Sequence, residues 1–393
     1  MIAPSKPKVL FIKLTLFALS TVAGLLLCEF GARLFINPAD FLKVEPVPHK
    51  VLGAALAPGV AGYDKWGFRN SLVPSRADIV AIGDSHTYGN CAKMVEAWPQ
   101  VVGRNTGRSV YNLGLGGYGP NQYYYLLKTK ALELKPSTVV CGLYMGDDFE
   151  NAYLITYGLD HWAYLRELPV EKANFDIWVA PPTPSLQKRM RVWLSRHSLT
   201  YQLVFHGPLL GRTQGEFQIK HATKIYDSAT ALFVPEKNIS EAFRPIGILR
   251  RLDQESESVR EGMRITFRLL KEMDEICREN NITFIVAVIP SKESVFAEYL
   301  EHNSQVRFND VLDKLIANER IAREKTFKFL ADAGIKHVDT LGAMKQNVGR
   351  ELYVRTAADM HPGKNGYRVI ADAIAETLQS VRTTPVSLPT TRP

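Results

Sequence analysis

Residues 79 to 89 read IVAIGDSHTYG, an apolar, β-branched run that stops at Gly83-Asp84-Ser85 and resumes as His86-Thr87-Tyr88-Gly89. A strand that ends at such a turn and restarts as a helix lifts one serine hydroxyl clear of the sheet edge, beside the unpaired N–H groups of the helix N-terminus. That is a place for a nucleophile. A serine is inert at neutral pH unless a base lies within hydrogen-bond reach and a third group orients that base. His361, in DMHPGKNGYRVIADAI, is the best candidate base, because it falls just before a helix near the end of the chain, in a loop that returns to the sheet edge. Asp359, two residues earlier, can hold the imidazole in the right tautomer and stabilise the imidazolium. His86 adjoins the serine but is expected to point away from its hydroxyl, and His337 falls in an expected strand. The chemistry open to Ser85, His361 and Asp359 is acyl transfer through a serine ester.

These residues need elements to hold them. Past Asp78 the hydrophobic pattern alternates, predicting strands near 78–83, 109–113, 137–145, 282–289 and 335–339, and helices near 85–105, 120–134, 257–280, 308–333 and 364–381. Apolar strands separated by helices argue for a parallel sheet covered on both faces, whose ligands gather at the carboxyl ends of strands. Ser85 falls at such an end. Residues 150 to 256 break the rhythm with aromatics (Tyr153, Tyr157, Trp162, Tyr164, Trp178), prolines around Pro181 to Pro184 and a basic helix-like run from Gln187 to Arg196. This stretch reads as an insertion after the third strand: either a lid over the rim, whose exposed aromatics would suit sugar rings, or a cap over the sheet edge.

Gly-Asp-Ser-x-Thr-x-Gly directly after a buried strand resembles block I of the SGNH/GDSL hydrolase superfamily, with Ser85 at the nucleophile position. Residues 111 to 119, YNLGLGGYG, resemble block II and put Gly117 in the place of the glycine whose N–H joins that of Ser85 in an oxyanion hole, with Gly116 and Gly119 serving the turn. Block III is Gly-x-Asn-Asp or Gly-Asn-Asp in the superfamily, and here reads Gly146-Asp147-Asp148, so the asparagine donor has become Asp147. An ionised carboxylate there would repel an oxyanion, and losing such a donor costs on the order of a hundredfold or more in rate. Either Asp147 is kept protonated by burial and by its neighbour Asp148, or it points elsewhere and two donors remain.

The last block is usually Asp-x-x-His. This chain has Asp359-Met360-His361, with Ala358 where the usual acid would be, a spacing similar to that of the subgroup found in bacterial polysaccharide O-acetylation. Gly67-Phe68-Arg69-Asn70 and Ile289-Pro290-Ser291-Lys292 look like the same membrane-anchored subgroup. The resemblance covers about 66–150 and 257–382. It implies a three-layer α/β, flavodoxin-like fold with a parallel five-stranded sheet, and an esterase or O-acyltransferase acting on an O-acetyl group of a carbohydrate or cell-envelope polysaccharide. The expected partners are that acyl-ester substrate and polysaccharide biosynthesis machinery, with no metal or organic cofactor. The alternative is a catalytically inactive glycan-binding protein of a polysaccharide export or modification system. A metallophosphoesterase, suggested by Gly-Asp-x-His at 83–86, lacks a later Gly-Asn-His element or a histidine cluster to complete a metal site.

Composition sets the surroundings. The 393 residues carry a net charge of +8, with basic residues scattered rather than gathered into a stripe with interleaved aromatics, so no nucleic-acid partner is read. Val9 to Cys28 is a twenty-residue run whose only charge is Lys13, long enough to span a bilayer. Lys6, Lys8 and Lys13 on its amino side place the N-terminus in the cytoplasm by the positive-inside rule and the rest across a bacterial inner membrane, in the periplasm. A cleaved signal peptide is the alternative, but Glu29 and Phe30 follow where a small-x-small site would stand. Leu27 argues against a lipid anchor on Cys28. Cys28, Cys91, Cys141 and Cys277 have no metal-ligand spacing and read as buried free thiols, with a Cys91–Cys141 disulfide the less favoured reading. The expected organisation is an anchor at 1–36, an irregular proline-bearing linker at 37–76, a catalytic-type domain at 77–382 with its insertion at 150–256, and a disordered tail at 383–393.

Overall fold

The computed structural model describes residues 6–42, 44, 46–169, 185–205, 228–354 and 359–383. The chain opens with helix α1, Lys6–Phe35. Its stretch Val9–Phe35 reaches a mean hydropathy of 2.1 and is not buried against the rest of the chain, leaving Leu10, Phe11, Phe17 and Leu27 exposed. At 1.5 Å per residue this helix is about 45 Å long, more than a bilayer's hydrocarbon core.

The segment expected to be an irregular linker is ordered. It forms an antiparallel hairpin, β1 Pro46–His49 with β2 Gly53–Leu56, and its remainder is fastened to the domain by buried polar side chains. The Arg69 guanidinium is buried, pairs with Asp40 at 2.7 Å and donates to the carbonyls of Ala39, Gly89 and Ala92. Asp64 accepts from the Tyr111 hydroxyl at 2.6 Å, and Asn70 exchanges hydrogen bonds with the backbone of Asn112. Proline frequency signalled irregular backbone but carried no information about these long-range bonds.

Next come β3 Ile79–Gly83, α2 Ser85–Tyr88, α3 Trp98–Thr106, β4 Val110–Asn112, α4 Pro120–Leu126, β5 Thr138–Tyr144 and α5 Asp148–Gly158. The expected helix at 85–105 is broken because Gly89, at φ +87, closes α2 after one turn, and α3 restarts with a proline in its first turn. The helix expected at 120–134 loosens after Leu126 into a π-turn, Leu127–Ala131, and a 3₁₀ turn, Leu132–Leu134. The inserted stretch supplies α6 Leu186–His197, α7 Leu199–Phe205, the hairpin β6 Thr230–Val234 with β7 Ile239–Phe243, and α8 Pro245–Leu252. The chain closes with α9 Glu257–Glu279, β8 Thr283–Ile289, α10 Lys292–Val295, α11 Asn309–Asp332, β9 Lys336–Asp339 and α12 Lys364–Thr383.

Five strands form one parallel sheet in the order β4-β3-β5-β8-β9. All seven residues of the central β5 are buried, as a parallel strand covered on both faces requires. The chain starts in β3, crosses to one side for β4, then returns past β3 to β5, so the winding reverses between β3 and β5. Crevices open at such a reversal, outside the carboxyl ends of the two strands. Ser85 follows β3 by two residues and Asp147 follows β5 by three.

The described aromatics of the insertion, which the sequence left open between a lid and a cap, pack mostly inward. Tyr157 and Trp162 are buried with Ile155 and Leu165 against Ile265 and Leu269 of α9, forming a second small core, and Tyr153 stacks on Tyr157 at 4.5 Å. Tyr164 alone of the named aromatics is exposed among the described residues. Aromatic counting could not separate a sugar platform from a core. Trp178, Pro181 to Pro184, Ala358 and the tail beyond Thr383 lie outside the described residues.

Candidate active site

The motif around Ser85 is shaped by close packing. Gly83 on β3 pairs with Gly142 on β5, and the Thr87 hydroxyl fills the space that side chains there would need. A Cβ on Gly83 would lie 2.0 Å from Thr87 Oγ1, and one on Gly142 would lie 2.4 Å from it. The two glycines thus let α2 seat against the strand ends, which fixes Ser85 at the first position of the helix. Asp84 caps that helix, accepting the His86 N–H at 2.9 Å.

The loop before α12 brings the other two residues to it. His361 Nε2 lies 2.7 Å from Ser85 Oγ, and His361 Nδ1 lies 2.7 Å from Asp359 Oδ1, whose other bond is from the His361 N–H. Nδ1 donating to Asp359 leaves Nε2 free to accept the serine proton. Ser85 Oγ is also 3.2 Å from Asp84 Oδ2, and a hydroxyl has one proton to give, so the shorter His361 contact is favoured. Burial opposes the charged imidazolium, but the hydrogen bond and charge of Asp359, backed by Asp84 and Asp147, outweigh it, and the His361 pKa is raised above 6.5. Burial also opposes ionisation of Asp359, yet the His361 contact holds it well below the carboxylate range. The three residues read from the sequence are therefore brought together in one hydrogen-bonded chain.

Gly117, the expected donor, sits in a tight turn after β4. Leu115 O accepts the Tyr118 N–H at 3.2 Å, closing a turn in which Gly117 takes φ +77, the left-handed region that favours glycine. The alternative glycine, Gly116, lies closest to the serine, its absent Cβ 3.7 Å from that of Ser85. Among the described residues no protein acceptor takes the amides of Ser85, Gly116 or Gly117.

Asp147 lies at the same crevice. Carboxylate oxygens of Asp84, Asp147 and Asp148 all fall within 4.8 Å of one another. Asp147 Oδ1 is buried with no hydrogen-bond partner, while Oδ2 is 3.6 Å from Arg251. Burial and the negative charge of Asp84 raise its pKa to about 7, against the pull of Arg251 and His361. The neighbouring charge is thus Asp84 across the crevice rather than the expected Asp148. Asp148 turns inward, accepting from the Tyr123 hydroxyl and the Tyr144 N–H, both at 2.8 Å.

Four features escaped the sequence reading. Cys91 is exposed rather than buried, and its thiol lies 3.3 Å from Asp359 Oδ2. Asn90 Nδ2 lies 3.4 Å from His361 Nε2. His86 does not hydrogen-bond the serine hydroxyl itself, but it bonds the same Asp84 oxygen at 3.0 Å, stacks on Tyr144 and lies 4.9 Å, ring to ring, from His361. Lys292 is buried, 2.7 Å from Glu241 on β7, and donates to the backbone carbonyls of Ala242 and Asp359. It ties the inserted hairpin to the loop that carries Asp359 and His361. Lys292→Met leaves Glu241 buried without its counterion and is expected to cost about 3–5 kcal/mol in urea unfolding. Adding Glu241→Gln should recover part of that loss; equal stability of Lys292→Met and parent would refute the buried pair.

No family model matches the chain. Over 120 residues it is 27% identical to Probable alginate O-acetylase AlgJ of Azotobacter vinelandii, a stretch covering 30% of this chain and 28% of that protein. The match therefore spans less than a third of this curated relative. Solved structures that overlay on the chain include a lipolytic protein of the G-D-S-L family from Desulfitobacterium hafniense, at 14% identity and a TM-score of 0.37, covering 77% of this chain and 99% of that one. A catalytic mutant of Axe2, an acetylxylan esterase from Geobacillus stearothermophilus, overlays at 13% identity and a TM-score of 0.34, covering 78% and 95%. Overlays this loose add no weight to the topology described above. The chain is thus an α/β protein with a five-stranded parallel sheet, in which the Gly-Asp-Ser turn at the winding reversal meets His361 and Asp359 in one hydrogen-bonded chain.

Proposed function

We propose that the protein is a membrane-anchored serine esterase or O-acyltransferase acting on O-acetyl groups of a polysaccharide, with its catalytic domain on the periplasmic side. The observation that carries this reading is the chain of hydrogen bonds from Ser85 through His361 to Asp359. Ser85 Oγ attacks the ester carbonyl carbon as its proton passes to His361 Nε2. The amides of Ser85 and Gly117, with protonated Asp147, receive the developing oxyanion. The tetrahedral adduct collapses to an acetyl-serine as the imidazolium protonates the departing oxygen. Water or a sugar hydroxyl, deprotonated by His361, then attacks the acetyl-serine and releases Ser85. The sequence similarity to an O-acetylase supports acetyl as the acyl group, and the apolar helix α1 supports the anchor.

The test is hydrolysis of p-nitrophenyl acetate by the full chain in detergent, with an oligosaccharide acceptor then added. Turnover with partition of acetyl onto the sugar indicates a transferase, and turnover to free acetate alone indicates an esterase. A chain that binds glycan and neither cleaves nor transfers any acetyl ester is the inactive binding protein, and the proposal fails.

A further inference from the structure

Helix α6 is fully exposed along its first half and is not buried anywhere along its length. Leu186, Met190 and Trp193 recur at spacings of four and three, so they share one face of the helix. They are 80%, 58% and 58% exposed, unusual for three large apolar side chains in a row. The same twelve residues carry Lys188, Arg189, Arg191 and Arg196 and no acid. An apolar stripe containing a tryptophan, flanked and backed by basic side chains, is the pattern of a helix that lies in a membrane interface.

The position of α6 relative to α1 turns this pattern into a specific expectation. The apolar run of α1 ends at Cys28, and the next residue, Glu29, accepts the N–H groups of Leu199 and Thr200 at 3.0 Å each and the Ser198 hydroxyl at 3.0 Å. Arg33, one turn on, pairs with Glu29 and donates to the His197 carbonyl at 2.8 Å. The junction between α6 and α7 is therefore clamped to α1 immediately past its apolar run, where a spanning helix meets headgroups. Short helix α7 adds exposed Val204 and Phe205 beside it.

We infer that α6 lies on the outer surface of the same bilayer that α1 spans, with Leu186, Met190 and Trp193 in the acyl boundary and Lys188, Arg189, Arg191 and Arg196 among anionic phospholipid headgroups. The inference rests on the reading of α1 as an anchor. It gives the insertion a membrane-contacting part, distinct from its hairpin, which serves the catalytic loop. An apolar stripe favours lipid over a polyanionic glycan, which would engage the basic residues and leave the stripe in water.

The test uses the full chain in nanodiscs containing a photoactivatable phospholipid, with cross-linked peptides mapped by mass spectrometry. Peptides from α1 and from 186–197 should both carry lipid, and labelling of α6 should rise several-fold when anionic phosphatidylglycerol replaces part of a zwitterionic bilayer. The double variant Met190→Glu, Trp193→Glu should lose the α6 label while keeping the α1 label and full ester turnover, since neither residue belongs to the Ser85–His361–Asp359 chain. Lys188→Ser with Arg191→Ser should remove the anionic-lipid preference. Label on α1 with none on 186–197 overturns the inference and leaves the anchor standing. No label on either peptide overturns the anchor itself. Binding of a polyanionic glycan that depends on the four basic residues, without lipid label, assigns the surface elsewhere and likewise overturns it.

Discussion

Ser85→Ala is expected to remove ester turnover by about 10⁴-fold or more, leaving only what the oxyanion donors and substrate binding give over water. The estimate follows from the role of Ser85 in the proposed reaction: without Oγ there is no atom to carry the acetyl group, and His361 can do no more than activate water. His361→Ala should fall by a similar factor, and the double variant should be no worse than either single one, because the residues act as a unit. Two independent deficits that multiply would mean that serine and histidine do not work on the same step. Folding should be little affected by the serine change, since Oγ bonds only within the crevice, to His361 and Asp84. Retained turnover in Ser85→Ala, with unchanged circular dichroism, would refute the nucleophile assignment outright.

Asp147→Asn is the second large effect, and its sign depends on pH. His361 must be neutral to accept the serine proton, so activity rises as pH climbs through its raised pKa. Asp147 must be protonated to donate to an oxyanion, so activity falls as pH climbs through about 7. The two requirements overlap over a narrow range, and the parent enzyme should show a compressed bell with its maximum near neutrality. Asparagine donates at every pH. The variant should lose the alkaline limb and exceed the parent by about tenfold one unit above the Asp147 pKa, approaching the hundredfold value of an oxyanion donor at higher pH. Equal profiles would show that Asp147 does not face the reacting oxygen. A large loss at all pH values would give the carboxylate a positive role, for instance in holding Arg251.

Much of this architecture was legible in the chain. The five sheet strands lie within about a residue of their expected bounds because each is a short apolar run with sharp ends, and the three long helices 257–279, 309–332 and 364–383 follow from sustained periodicity. Ser85, His361 and Asp359 could be paired across 276 residues because a strand-turn-helix signature and a histidine before a terminal helix both point to one sheet edge. What escaped reading has no periodic signal. The hairpins β1–β2 and β6–β7 sit in proline-rich or aromatic stretches whose pairing partners are set by tertiary packing. Lys292 stood out only as the end of an Ile-Pro-Ser-Lys string, and only the folded chain shows it buried beside Glu241, 51 positions earlier in the sequence. Cys91 gave no hint of Asp359, because a contact across 268 residues leaves no mark on local composition.

The clamp formed by Arg69 also sets a length scale. Asp40 lies five residues beyond the end of α1, and through Arg69 it is joined to the Gly89 carbonyl, one turn from the serine. Five residues span at most about 18 Å. With α1 in a bilayer, the crevice is leashed close to the membrane surface and cannot sweep outward on a flexible arm. On the proposed function, acetyl groups would then be met only on polymer passing near the lipid, so that the spacing of modifications along a strand would be governed by how fast that strand moves past a stationary catalyst rather than by how well each sugar is bound.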